Sequence, residues 1–176
     1  MSVNEELQEH AEHASDPFSR KAGAGMAIIA AFLAMVAVYA HITTTEELLS
    51  QQKASDQWAY YQAKSIRRYE SEVARDILGA TGGAAAARAA EKYAANFARY
   101  QKESEEIQEK AREYERESAV MGKRALRLHF GEVFLEIAIV LSSLAILTRR
   151  YLFWYMGIAG AVIGLAGSAT VFLLAH

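Results

Sequence analysis

Three apolar runs, 26–40, 133–147 and 151–174, bracket a polar middle of roughly ninety residues. About twenty helical residues cover the hydrocarbon of a bilayer. The third run is long enough to cross outright, and the first two reach that length with flanks such as 23–25 and 129–132. Lipid offers no partner to an unpaired backbone group, so an apolar run surrounded by it must be helical. The expected fold is therefore an all-α integral membrane protein. Three transmembrane helices carry a long extramembrane antiparallel helical hairpin of coiled-coil type.

The rest of the composition narrows the function. About a third of the 176 residues lie in apolar runs, which leaves no room for a large soluble catalytic domain. Net charge is −2, so no basic excess points to nucleic acid. The chain has no cysteine, which removes disulfides and thiolate chemistry together. A single proline, Pro17, leaves everything after it free to be helical. The first apolar run is expected to be an anchor and not a cleaved leader. Residues 1–19 carry Glu5, Glu6, Glu9, Glu12 and Asp16 and lack a basic start, although Val38, Tyr39 and Ala40 resemble a processing site.

The chain divides into a polar segment with a short amphipathic helix at 1–21, spans at 22–42, 129–148 and 149–176, and a hairpin at 43–128 turning at 79–83. Arg20 and Lys21 precede the first span, Glu46 and Glu47 follow it, and Arg149 and Arg150 separate the second from the third. That asymmetry puts the N-terminus in the cytoplasm and the hairpin outside, while Lys123, Arg124 and Arg127 argue the other way. Thr43 and Glu46, like Thr44 and Glu47, have capping-box spacing and predict a helix restarting past the first span. The glycines at 79, 82 and 83 break the middle into arms of ~54 and ~65 Å.

The second arm repeats large and small residues at alternating steps of three and four. Phe97, Tyr100, Ile107, Tyr114 and Met121 are the large members of this seam, with Ser104, Ala111, Ser118 and Ala125 between them. The first arm offers Ala54, Trp58, Tyr61, Ser65, Tyr69, Val73 and Ile77, mostly at steps of four. The first expectation is an antiparallel hairpin packed on itself; the aromatic surplus of Trp58, Tyr60, Tyr61 and Tyr69 adds a second, that both arms also join neighbouring subunits. Small-residue faces in the spans predict helix–helix contact: Ala27, Ala30, Ala34 and Ala37 in the first, Gly157, Gly160, Gly164 and Gly167 in the third. Tyr151, Phe153, Trp154 and Tyr155 form an interfacial belt beside Arg149 and Arg150.

Three stretches resemble an uncharacterised bacterial membrane-protein family, domain of unknown function 4337. They are 54–68 (ASDQWAYYQAKSIRR), the first span with its flanks, and 136–155 (EIAIVLSSLAILTRRYLFWY). The block Asp56, Gln57, Trp58, Ala59, Tyr60, Tyr61, Gln62, Ala63, Lys64 is the most specific part, and 79–90 the weakest. The resemblance implies a multi-span protein of the bacterial envelope, placed in the inner membrane, and brings no activity with it.

Little chemistry is offered by the residues themselves. Glu132 and Glu136 stand one turn apart in the second span, His129 precedes them, and His41 ends the first span. Ionisable groups in a span are costly and mark candidate ion or proton sites, although Glu136 also suits a plain hydrogen bond. The acidic cluster of Glu6, Glu9, His10, Glu12 and His13 reads as a solvated helix face before a metal site. Gly79, Gly82 and Gly83 lack the lysine of a phosphate loop. No nucleophile, metal or cofactor constellation is present, so no enzyme is expected. The leading expectation is a membrane-anchored structural or interaction protein, self-associating or an accessory subunit of a larger membrane complex. The runner-up is an oligomeric ion- or proton-conducting component using Glu136.

Overall fold

The computed structural model describes residues 17–171, all of them helical apart from two short connections, with no strand among them. Helix α1 is Pro17–Thr81, α2 is Ala84–Thr148 and α3 is Tyr151–Ala169. Pro17 opens α1, where its missing N–H costs nothing because first-turn donors have no partner inside the helix. The predicted amphipathic helix before it lies outside the described residues.

Two sequence expectations are corrected. No helix restarts at 43–47, because α1 runs through without a break. No glycine or proline interrupts 26–78, and the Thr43 hydroxyl donates back to the Tyr39 carbonyl at 2.9 Å instead of capping a new helix. The turn is also shorter than 79–83. Gly79 is helical, and only Gly82 and Gly83 leave the helix, at φ of 75° and 92°. Those left-handed angles cost an L-residue about 1–2 kcal/mol each, which is why glycine stands there. The Gly83 carbonyl then accepts the first bond of α2, from the Ala87 N–H at 3.0 Å.

The chain forms two compact units: Met1–Thr44 with Gly122–His176, and Thr45–Met121. In the first, the backbones of α2 and α3 approach closely. A Cβ added to Gly131 would lie 2.0 Å from Ser168 Oγ and 2.6 Å from the Gly164 carbonyl. One added to Gly164 would lie 2.7 Å from the Gly131 carbonyl, and one on Gly157 would lie 2.8 Å from Ser142 Oγ. Both serines sit buried because each donates to a carbonyl four residues earlier, Ser142 to Ala138 and Ser168 to Gly164. Gly160 has more room, its nearest neighbour at 3.6 Å, and Gly167 lies 3.7 Å from Phe130.

Helix α1 completes this unit with larger side chains. Ile29 is buried with Leu135, Ala138 and Ala161, supported by Leu33 and Val36, and Ala40 packs with Leu128 and Val171. Ala27, Ala30 and Ala34 are exposed and Ala37 is half-buried, so most of the alanine face is turned away from the other described helices. At 100° per residue it lies about a third of a turn from the line through Ala22, Ile29, Val36 and Ala40. Once glycine has drawn α2 and α3 together, the remaining groove needs Ile, Leu and Val to fill it.

Each helix contains a stretch long and apolar enough to cross a membrane, and only 11%, 28% and 22% of those windows are buried inside the chain. Most of that apolar surface therefore faces outward. The glycine contacts set a test. Gly131→Ala should destabilise the detergent-solubilised protein by about 1–3 kcal/mol through overpacking. Gly160→Ala should be neutral or stabilising, by up to about 1 kcal/mol of helix propensity, in the same thermal unfolding assay.

Candidate functional site

In the second unit α1 and α2 meet through polar side chains laid over aromatic rings. Lys53 lies over the Tyr114 ring, Lys64 over Tyr100 and Arg75 over Phe97, each at 5.5 Å. Trp58 donates its indole N–H to Glu115 at 2.8 Å, Lys64 pairs with Glu103 at 2.6 Å, and Arg68 donates to Gln101. The seam residues Phe97, Tyr100, Tyr114 and Met121 are half-buried and Ile107 is buried. Long cationic stems can lie along such a surface with their heads over the ring faces.

The first-arm set read at steps of four does not stay on this face. Each such step overshoots a full turn by 40°, so four of them from Tyr61 to Ile77 rotate the set by about 160°. Ala54 is buried and Trp58 and Tyr61 half-buried, but Tyr69, Val73 and Ile77 point outward at 55%, 57% and 61% exposure. With Ile66 at 58% they form an uncovered apolar row along α1.

The candidate ion or proton residues are only partly brought together. His129 and Glu132, one turn apart on α2, bond through Nδ1 and Oε2 at 2.9 Å, and His129 Nε2 meets the Thr44 hydroxyl of α1 at 3.1 Å. The two ring nitrogens thus face different partners, Nδ1 the carboxyl of its own helix and Nε2 the hydroxyl of α1. Thr44 was missed as a member because its spacing to Glu47 suggested a cap. Its only sequence signal was a hydroxyl next to the end of an apolar run. His41, one turn earlier on α1, is exposed. Glu136 stands apart: it is exposed on the outer face of α2 among Val133, Ile137 and Val140, with no hydrogen bond or ion pair among the described residues.

The arrangement is a hydrogen-bonded chain from Thr44 through His129 to Glu132. Among the described residues no three His, Cys, Asp or Glu side chains gather as a metal site. The cluster of Glu6, Glu9, His10, Glu12 and His13 lies outside the described residues.

The Lys64–Glu103 contact carries the resolved electrostatic shifts. The bonds that Lys64 donates to Glu103 and, more weakly, to Tyr60 hold its ammonium above its ordinary value, and the bond from Lys64 holds the Glu103 carboxyl below its own. A raised lysine contributes below its unfolded value and is lost as pH rises through the raised one. A lowered carboxylate contributes above its unfolded value and is lost as pH falls through the lowered one. The melting-temperature difference between the wild type and Lys64→Met should therefore be flat from about pH 5 to about pH 9. It should shrink toward zero in stronger acid as Glu103 protonates and in stronger base as Lys64 loses its proton.

No curated protein and no solved structure matches this chain. The pattern of one family, described as a domain of unknown function (DUF4337), matches residues 18–174. Those residues include the paired Trp58, Lys64, Glu103 and Glu115 and the close-packed glycines of α2 and α3. The chain belongs to the DUF4337 family.

Proposed function

We propose that the protein is a membrane-anchored structural or interaction protein that spans the bilayer three times and presents a helical hairpin outside it. It self-associates or serves as an accessory subunit of a larger membrane complex, and this role involves no catalysis. Partner residues rise along α1 from Lys53 to Arg75 while those on α2 fall from Tyr114 to Phe97, the order expected of antiparallel arms. The largely outward apolar windows support a bilayer around the first unit. The family resemblance supports a bacterial inner membrane. Arg20, Lys21, Arg149 and Arg150 support a cytoplasmic N-terminus with the hairpin on the far side.

The observation that carries association is the row of Ile66, Tyr69, Val73 and Ile77. A contiguous apolar row in a polar unit is a surface for another protein. Ile66→Glu with Val73→Glu should reduce the native mass of the detergent-solubilised particle to one 19.4 kDa chain plus detergent. An unchanged mass with normal helicity overturns this surface as the contact.

Glu136 favours the second reading, an oligomeric ion- or proton-conducting component. A carboxyl among apolar side chains in a span is costly unless protein or water covers it. Glu136→Gln should abolish or retune cation or proton flux in liposomes while leaving the particle mass unchanged. Flux that is absent from the wild type, or identical in the variant, removes conduction through Glu136.

A further inference from the structure

One end of the first unit is built from aromatic rings and exposed cations. Phe18 of α1 packs on Tyr151 at 4.3 Å and edge-on to Trp154 at 6.2 Å, and it is buried with Ala22 and Ala145. Because Phe18 and Ala22 face inward, the helix repeat turns Arg20 and Lys21 outward, and both are exposed. Arg149 and Arg150, in the connection from α2 to α3, are exposed as well. Arg20, Lys21 and Arg150 make no ion pair among the described residues. The acids in the described part of this unit are Glu132 and Glu136. Glu136 stands thirteen residues before Arg149, which follows the end of α2 at Thr148, and about 20 Å from it along the helix axis.

A second feature indicates which anion this end would meet. An exposed apolar strip on α3, from Leu152 through Tyr155 and Met156 to Val162 and Ile163, runs directly away from them. Free phosphate would use the cations and leave the strip uncovered. A phospholipid uses both, its phosphate on the guanidinium and ammonium groups and its acyl chains along the strip, with the rings at headgroup depth.

We propose that this end is a binding surface for anionic phospholipid, formed by Arg20, Lys21, Arg149 and Arg150 around the Phe18, Tyr151 and Trp154 cluster. The assignment rests on the reading that the first unit lies in a bilayer. It adds a preference among lipids that the anchoring role alone does not require. Each cation near an anionic lipid surface is worth about a fivefold gain in affinity at low salt.

The test reconstitutes the full-length protein in nanodiscs of phosphatidylcholine with a minority of phosphatidylglycerol, and reads retained lipids by native mass spectrometry. The wild type should retain phosphatidylglycerol in preference to phosphatidylcholine, and the preference should fall as salt rises. The fourfold variant Arg20→Gln, Lys21→Gln, Arg149→Gln, Arg150→Gln should lose it, whereas Lys123→Gln with Arg127→Gln should keep it. Retention by the fourfold variant, or a salt-independent preference in the wild type, overturns the proposal. Displacement of phosphatidylglycerol by an equal concentration of inorganic phosphate also overturns it, in favour of a soluble-anion site. A wild type that reconstitutes but shows no preference sinks this inference alone. One that stays dispersed in water without detergent sinks the membrane reading beneath it.

Discussion

The first unit depends on the close approach of α2 and α3, where Gly131 faces Gly164 and Gly157 faces Ser142. Lipid tails are as apolar as leucine, so helices within a bilayer gain little from hydrophobic burial against one another. What holds them is contact, and contact is closest where no Cβ intervenes. The two buried serines fit at this interface because each hydroxyl is already bonded to its own helix. Placing α2 and α3 so near in turn shapes the groove that Ile29, Leu33 and Val36 of α1 occupy. Large side chains on the third helix follow from small ones on the other two.

The second unit is held differently. Its helices meet with tyrosine and phenylalanine on one side and lysine and arginine on the other. In water this arrangement keeps the ammonium and guanidinium heads hydrated at their edges while their stems cover the rings. Beyond Ala54, Trp58 and Tyr61 it leaves an apolar row of α1 outside the pair, so Ile66, Tyr69, Val73 and Ile77 face outward. A helix with a cationic face turned to its partner and an apolar face turned away is suited to joining a further protein surface. That inversion links the packing to the interaction role proposed for the chain.

Glu136 and the Thr44–His129–Glu132 chain differ in what surrounds them. His129 and Glu132 are tied to each other and to α1, so their polar groups are satisfied within the chain. Glu136 is one turn away yet lies on the opposite side of the same consideration, facing outward among Val133, Ile137 and Val140. Two carboxylates one turn apart thus differ: Glu132 is bonded to His129, while Glu136 has no such bond among the described residues. They stand only about 40° apart around α2, so the difference comes from their neighbours, an imidazole one turn before Glu132 and apolar side chains around Glu136.

Much of this was legible beforehand, for a local reason. Helical hydrogen bonds join residues four apart, so the absence of proline and glycine over 26–78 and the apolar runs were enough to place long helices and three membrane-length stretches. The heptad steps likewise marked Ile107 and Tyr114 as inward-facing, because an α-helix repeats its face every seven residues. Tertiary structure alone decided which side of α1 meets its partners. The alanine line and the line through Ile29 and Val36 differ by about a third of a turn, and no local energy separates them. It also decided that Gly131, unremarkable in sequence, would lie against Gly164, and that Thr44 would reach His129 eighty-five positions away. Such pairings depend on how helices distant in sequence settle against one another, and local periodicity carries no information about that.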